Sequence, residues 1–404
     1  MKTVTIAGRN IFRSRRRSII TISAMAVALG AMVVFTSLWD GMLSDLRRNA
    51  SLMDIGHLQI HALGYLDRPS VYTKITGHEE IIKKLNAMGF AATTRLFTSG
   101  LAAYKNDSSG VSIRGVEPEG EKKVVKMPGQ LMKGSWLSDS EPDGVVIGKN
   151  LAESLNVVLG DVIVVVSQAS DGSMANKLYK VRGILKSISD QINQGGILMT
   201  SAAYRDFMSF PDGVHEIAVT MPEGMDLQKA DALLKDDFPG LDVKTWKEIN
   251  PSIAEMLDVS AAFQTPMIAL IYVAIGILIL NAMLMAVFER IREYGMMKAI
   301  GVTPGGIFRL ITAEIFIMTI IAAAAGMAIG IPAALYFEKH GIDLSGGGNI
   351  DVSGIAIEPV WRAEFSSRNI VTPLVTLLFL AFFASIYPAM KAARLNPVDA
   401  IHYR

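Results

Sequence analysis

Four stretches of this chain are too long and too apolar to serve as the core helices of a water-soluble protein. Ser18 to Trp39, Pro266 to Phe288 and Asn369 to Met390 contain no charged residue, and Ile307 to Phe337 carries only Arg309 and Glu314, both near its start. A helix needs roughly 20 mostly apolar residues to cross about 30 Å of hydrocarbon, where no water is available to its backbone groups. The pattern therefore predicts transmembrane helices over 18–39, 266–288, 307–337 and 369–390. The remainder is not lipid-like. With 50% hydrophobic and 19% charged residues among 404, the chain reads as a membrane protein with a large water-exposed part. A formal net charge of +1 gives no electrostatic footprint for nucleic acid. The absence of cysteine removes disulfides, thiolate zinc sites and thiol catalysis.

Cationic residues in short loops favour the cytoplasmic side. Arg9, Arg13, Arg15, Arg16 and Arg17 precede the first span, Arg290, Arg292, Lys298 and Arg309 lie between the second and third, and Lys391, Arg394 and Arg404 follow the last. Four crossings put all three clusters on one side, so segments 1–17, 289–306 and 391–404 are predicted to be cytoplasmic. Arg13, Arg15, Arg16 and Arg17 are the orienting residues, in reach of anionic membrane lipids. The run SRRRSII could open a cleavable twin-arginine signal, but the apolar stretch after it exceeds a signal h-region and encloses its only Ala-x-Ala patterns. It reads as an anchor.

Segment 40–265 is long enough for one or two folded domains on the outer side. HLQIHA, GVVIG, DVIVVVSQ, KLYKVRGIL and HEIAVTM alternate or are β-branched and read as strands, whereas HEEIIKKLNAM and LQKADALLKDDF have helical spacing. The membrane-proximal pieces GMLSDLRRNASLMD and NPSIAEMLDVSAAF read as helical continuations of the first two spans, that is, as stalks. The second outer segment, 338–368, holds a Gly-rich SGGGN turn and GIAIEPVWRAEF, suited to a small hairpin. The fold class is an α+β membrane protein with four transmembrane helices and a large mixed α/β domain between the first and second.

A search for chemistry returns little. GVVIGKN at Gly144 to Asn150 lacks the spacing and the hydroxyl of a phosphate-binding loop, and His78-Glu79 and His215-Glu216 each lack the second histidine of a zinc protease. His57, Gln59 and His61 share one strand face, a spacing compatible with a metal pair but more simply a polar face. Glu314 lies about two turns into its helix, within reach of headgroups or Arg290, which favours a structural pairing. Asn281 could hydrogen-bond to a neighbouring helix. No catalytic, metal or cofactor residue is assigned in this chain.

The segment FERIREYGMMKAIGVTPGGIF stands apart. Glu289 to Glu293 would continue the second span as helix, Gly295 would interrupt it, Gly301 suits a helix C-terminus, and Thr303-Pro304 suit the cap and first turn of the next helix. Tyr294, Met296, Met297 and Ile300 would then form an exposed apolar surface on a cytoplasmic elbow, with adaptable methionines offered to a partner.

ERIREYGMMKAIGVTPGGIF resembles the signature of FtsX-like permeases, the membrane subunits of MacB and lipoprotein-releasing (LolC/LolE) ABC transporters. YPAMKAARLNPVDAIHYR resembles that family's C-terminal ending, and GVEPEGEKKVV with GVVIGKNLAESLNVVLGDVIVV resembles the MacB-type periplasmic core. The resemblance covers nearly the whole chain. It implies an inner-membrane permease whose elbow, through Arg292, Glu293, Tyr294, Met296, Met297, Lys298 and Ile300, docks on a separate LolD-like ABC ATPase that binds ATP and Mg. It also implies a second permease subunit, identical or paralogous, and in the LolC/LolE branch a periplasmic lipoprotein carrier. Work would pass by mechanotransmission: closure of the ATPases moves the elbows, and the stalks carry the motion outward. The lone FtsX-like segment and large outer domain look most like the lipoprotein-releasing branch. Export of another peptide, drug or lipid, or a non-transporting sensor or scaffold, are the alternatives.

Overall fold

The computed structural model describes residues 7, 15–186, 188–343, 351–352, 355–356, 360–394 and 396. It separates into two units whose boundaries fall inside two long helices: one comprises Met1–Ser44, Asp258–Gly346 and Val360–Arg404, the other Asp45–Leu257 and Gly347–Pro359.

The second unit contains a ten-stranded sheet. Four of its strands, β1 (Leu58–Ala62), the first half of β2 (Ala91–Tyr104), β9 (Glu216–Thr220) and β10 (Leu241–Thr245), lie in the order β10-β1-β9-β2, all antiparallel. Helix α2 (His78–Ala87) connects β1 to β2, and α7 (Leu227–Asp237) connects β9 to β10. This is the split βαβ arrangement, and alternation explains it. Leu58 and Ile60 on β1, with Ile217 and Val219 on β9, join Leu85 of α2 and Ala230 and Leu234 of α7 in one buried apolar cluster. The helices are started locally: Glu79 and Glu80 occupy the first turn of α2, and the Asp226 carboxylate accepts from the amides of Gln228 and Lys229 at the head of α7.

Between β2 and β9 the chain inserts a second motif. The second half of β2 pairs with β3 (Asp107–Val116) and β6 (Val162–Gln168). Next, β3 pairs with β8 (Gly196–Thr200), β8 with β5 (Gly144–Ile147), β5 with β7 (Met174–Leu185), and β7 with β6. These six strands close on themselves. Their apolar interior includes Ala102, Val111, Val145, Ile163, Val165, Tyr179, Val181 and Ile197, all buried, so closure removes the unpaired edges that an open sheet would expose. Only β4 (Leu131–Gly134) lies outside this ring, on β7. Short helices α3 (Pro118–Val124), α4 (Lys149–Ser154), α5 (Asp190–Gly195) and α6 (Ser201–Phe207) fill the connections, and α8 (Trp246–Ile249) follows β10 with a Thr245/Glu248 capping box.

The five strands and two helices anticipated from alternation or helical spacing in segment 40–265 are present. The β2–β3 hairpin, β4, β8, β10 and the short helices α3, α4, α5, α6 and α8 were not anticipated.

Among the described residues, four helices are long and apolar enough to cross a membrane: α1 (Arg15–Leu52), α9 (Pro251–Phe288), α11 (Pro304–His340) and α12 (Ser367–Arg394). At 38 residues each, α1 and α9 would extend about 57 Å, and so include the segments read as stalks. Within the first unit the bundle core joins Met25 and Leu29 of α1, Ile279 and Met283 of α9, Ile311, Ile315 and Ala322 of α11, and Leu377 and Ala381 of α12. Between α1 and α11 the backbones meet. A Cβ on Gly330 would stand 2.9 Å from Gly30 Cα, and one on Gly326 would stand 2.7 Å from the Ala26 carbonyl oxygen. Small residues are what lets helices approach so closely when apolar burial alone cannot distinguish protein from lipid. By contrast, Leu270, Val273 and Ile277 of α9 and Val375, Phe379 and Phe383 of α12 remain exposed, as suits lipid-facing surface. In segment 338–368 the two strands of GIAIEPVWRAEF do not form the expected hairpin with each other: Val360–Trp361 pairs with Ile342–Asp343 and Ile355–Ala356 with Asp351–Val352; the Gly-rich turn at 345–349 lies outside the described residues.

Candidate functional site

The elbow between α9 and α11 is helix α10 (Ile291–Ala299). Two features differ from the sequence expectation. The chain breaks at Glu289-Arg290, not at Gly295, which is buried in the middle of α10. The reason is Arg290. Its Nη1 donates to both carboxylate oxygens of Glu314 on α11, at 2.9 and 3.0 Å, and its Nε donates to Glu293 Oε2 at 2.8 Å. The pairing is made at the residue where the backbone leaves the α9 register, φ −112° and ψ 14°, and Glu314 has the structural pairing read from its position. The Arg290 guanidinium also lies over the Tyr294 ring, 5.4 Å from its centroid.

Tyr294 is the second correction. It is 1% exposed and belongs to the bundle core, and Met297 packs half-buried against the same cluster. Ile291, Tyr294 and Gly295 are one turn apart and form the inward face of α10. The outward face carries Arg292, Met296 at 51% exposure and Ile300 at 84%, continued by Val302. Glu293 is held by Arg290, and Lys298 donates to the Ala393 carbonyl at 3.0 Å, near the end of α12. The seven residues assigned to the elbow thus divide into an outward apolar patch with Arg292, an inward anchor, and two charges that tie the helix to its own unit.

The end of α10 follows its caps. Gly301 has φ +99°, its amide donates to Lys298 O and the Val302 amide to Met297 O, the paired bonds of a Schellman ending. Thr303 then caps α11 by accepting from the Gly306 amide at 3.2 Å, with Pro304 at the first helical position. Of the orienting arginines, Arg15, Arg16 and Arg17 begin α1, and Arg13 lies outside the described residues. Asn281 is exposed on α9.

A second polar constellation lies in the other unit and was only partly legible. On the sheet face opposite α2 and α7, His61 is directly across from Glu216, and Glu216 directly across from Arg95. The Arg95 guanidinium, 1% exposed, donates from Nε and Nη2 to the two oxygens of Glu121 at 2.6 and 2.9 Å and from Nη1 to Glu216 Oε1 at 2.8 Å. Arg114, over the Phe97 ring, pairs with both oxygens of Asp54. Burial opposes ionisation of Asp54, but Arg114 and Arg95 outweigh it and hold its carboxyl below the usual range. Removing one member of such a network leaves a buried charge uncompensated, at a cost of about 3–5 kcal/mol. Gln59 and His61 do share a face, and Nε2 of His61 meets Gln59 Oε1 at 3.1 Å, but His57 sits apart, its Nδ1 accepting from the Met221 amide. Among the described residues no group of three or more His, Asp or Glu is placed to hold a metal ion.

The sequence comparisons agree with this architecture. Residues 18–237 match the MacB-like periplasmic core domain and residues 267–397 the FtsX-like permease C-terminal domain. The chain belongs to this family of ABC transporter permeases. It is 24% identical to an uncharacterized ABC transporter permease of Methanocaldococcus jannaschii, over 98% of this chain and 97% of the relative. It is 22% identical to the lipoprotein-releasing system transmembrane protein LolC of Neisseria meningitidis, over 98% of each chain. The crystal structure of the periplasmic region of MacB from Actinobacillus actinomycetemcomitans aligns with 50% of this chain and 94% of its own at 16% identity, with a TM-score of 0.37.

Proposed function

We propose that this permease is the transmembrane subunit of a MacB/LolCDE-type transporter that releases lipoproteins from the inner membrane, driven by a separate ABC ATPase. The observation that carries the coupling part is the two-faced α10. Its inward side is anchored by Tyr294 and by the Arg290–Glu314 pair, while Met296, Ile300 and Val302 are exposed beside Arg292. A helix tied down on one face and apolar on the other can pass force from a bound motor into the bundle without folding away from it. ATP and Mg belong to the ATPase in this reading, and a second permease subunit, identical or paralogous, supplies the second elbow. The cytoplasmic positive clusters set the orientation, and the full-length similarity to LolC favours lipoprotein as cargo.

Two measurements test the reading. Met296→Glu with Ile300→Glu should abolish copurification of an ATPase and reduce cargo-stimulated ATP hydrolysis at least tenfold, while membrane insertion persists; unchanged coupling would sink the assignment of α10. Depletion of the permease followed by envelope fractionation should leave lipoproteins in the inner membrane. Normal sorting would remove the lipoprotein reading and leave export of another envelope substrate.

A further inference from the structure

The ion network on the sheet face forms part of the wall of a cavity of about 560 Å³ within the second unit, a volume in the range of small-molecule sites. Its charged groups are spent on one another. Arg95 holds Glu121 and one oxygen of Glu216, Arg114 holds Asp54, and His61, with both ring nitrogens on oxygen acceptors, stands 3.8 Å from the other oxygen of Glu216. Three carboxylates are thus matched by three basic side chains. An ion entering the cavity would give up its hydration and find no unmatched charge in return, so the site disfavours charged ligands.

What the cavity leaves open is a carboxamide. Asn49, in the last turn of α1, is 5% exposed and lines the cavity, yet its side chain has no hydrogen-bond partner among the described residues. A buried polar group left in this way is rare. Asn250, directly before α9, brings a second carboxamide to the same cavity. Each is followed one turn later by an apolar wall residue: Met53, whose amide donates to the Asn49 carbonyl at 3.1 Å, and Ile253. Phe97 and Val71 add further apolar wall.

We propose that this cavity binds an uncharged peptide of about two residues, its backbone amide held by the carboxamides of Asn49 and Asn250 and its apolar side chains against Met53, Ile253 and Phe97. A carboxamide is both donor and acceptor. A trans peptide unit directs its N–H and its C=O to opposite sides, so two carboxamides from separate helix ends suit it better than one. A sugar would meet the hydrogen bonds but not the apolar walls. The bound peptide would touch the end of α1 and the head of α9 together. This inference is independent of the coupling role of α10 and of the identity of the cargo.

Calorimetric titration of the full-length chain in lipid nanodiscs, corrected with empty nanodiscs, tests it with N-acetyl-Ala-Phe-amide as probe. The peptide is expected to bind, and its counterparts with Glu or Lys in place of Ala to bind at least tenfold more weakly. Asn49→Leu should weaken binding about tenfold with the melting temperature retained or raised, because it removes a buried polar group that has no partner in the ligand-free chain. Trehalose, rich in hydroxyls but without apolar side chains, should not compete. A cavity that holds water only, seen as no binding of the neutral peptide, would overturn the proposal. So would equal affinity for the charged counterparts, competition by trehalose, or undiminished binding to Asn49→Leu.

Discussion

His57 and His215 are used as hydrogen-bond acceptors. The Nδ1 of His215 accepts from the Phe97 amide at 2.8 Å while its Nε2 donates to the Val71 carbonyl, and the Nδ1 of His57 accepts from the Met221 amide. Both rings must be neutral to do so, and burial pushes both below the ordinary imidazole range. An unfolded chain takes up these protons as pH falls through about 6.5, before the folded one does. Their contribution is therefore complete above that value and lost on acidification, by up to about 1.4 kcal/mol per pH unit for each ring. Thermal unfolding of the purified permease should shift to lower temperature between pH 7.5 and pH 5. The shift should shrink in His57→Gln; a midpoint independent of pH would contradict the hydrogen-bond assignment. Neither role was legible in the sequence, because the partner amides lie more than 100 positions away from each ring.

At the level of elements, helix crossing and helix capping are the sensitive features. Gly30, Gly326 and Gly330 bring α1 and α11 to backbone contact, so Gly330→Leu should push the two helices apart, lowering the unfolding temperature of the bundle by several degrees. In the cysteine-free chain, a cysteine pair placed across this crossing should also lose its oxidative cross-link in that variant. Retained cross-linking and stability would mean that the crossing is looser than described. The four spans, half the strands of the ten-stranded sheet and its two longer helices could be read in advance, and the exceptions have physical causes. The strands of β1, β5, β6, β7 and β9 show themselves by branched, alternating residues. The hairpin of β2 and β3, AATTRLFTSGLAAY and DSSGVSIRGV, is rich in Ala, Ser, Thr and Gly, and is stabilised by neighbours on both sides more than by its own composition. In the elbow, Gly301 and Thr303-Pro304 carry local cap chemistry and were readable. The burial of Tyr294 depends on the apolar cluster it joins, and the break at Arg290 accompanies its pairing with Glu314, so both involve residues of other helices. The ion network was missed for the same reason, since Arg95 finds its partners 26 and 121 positions along the chain.

For the whole molecule, the arrangement of spans can be tested without reference to cargo. Because the chain contains no cysteine, single replacements report on sidedness against a silent background. In the proposed orientation, a cysteine at Ile300 should react with a membrane-impermeant maleimide only when the cytoplasmic face is open. One at Lys105, in the turn between β2 and β3, should react from the opposite side in intact cells; labelling of both from one side would rule out the four-span topology. The second unit has a mechanical character of its own. β2 is 14 residues long and is hydrogen-bonded at its start to β9 and at its end to β6, with β3 running along most of its length. It is a single beam shared by an open sheet and a closed ring, with Arg95 and Phe97 near the joint. Tilting one lobe without the other would require bending that strand and breaking its ladder, so a force applied to either lobe is felt at once by its neighbour, with no hinge between them to absorb it.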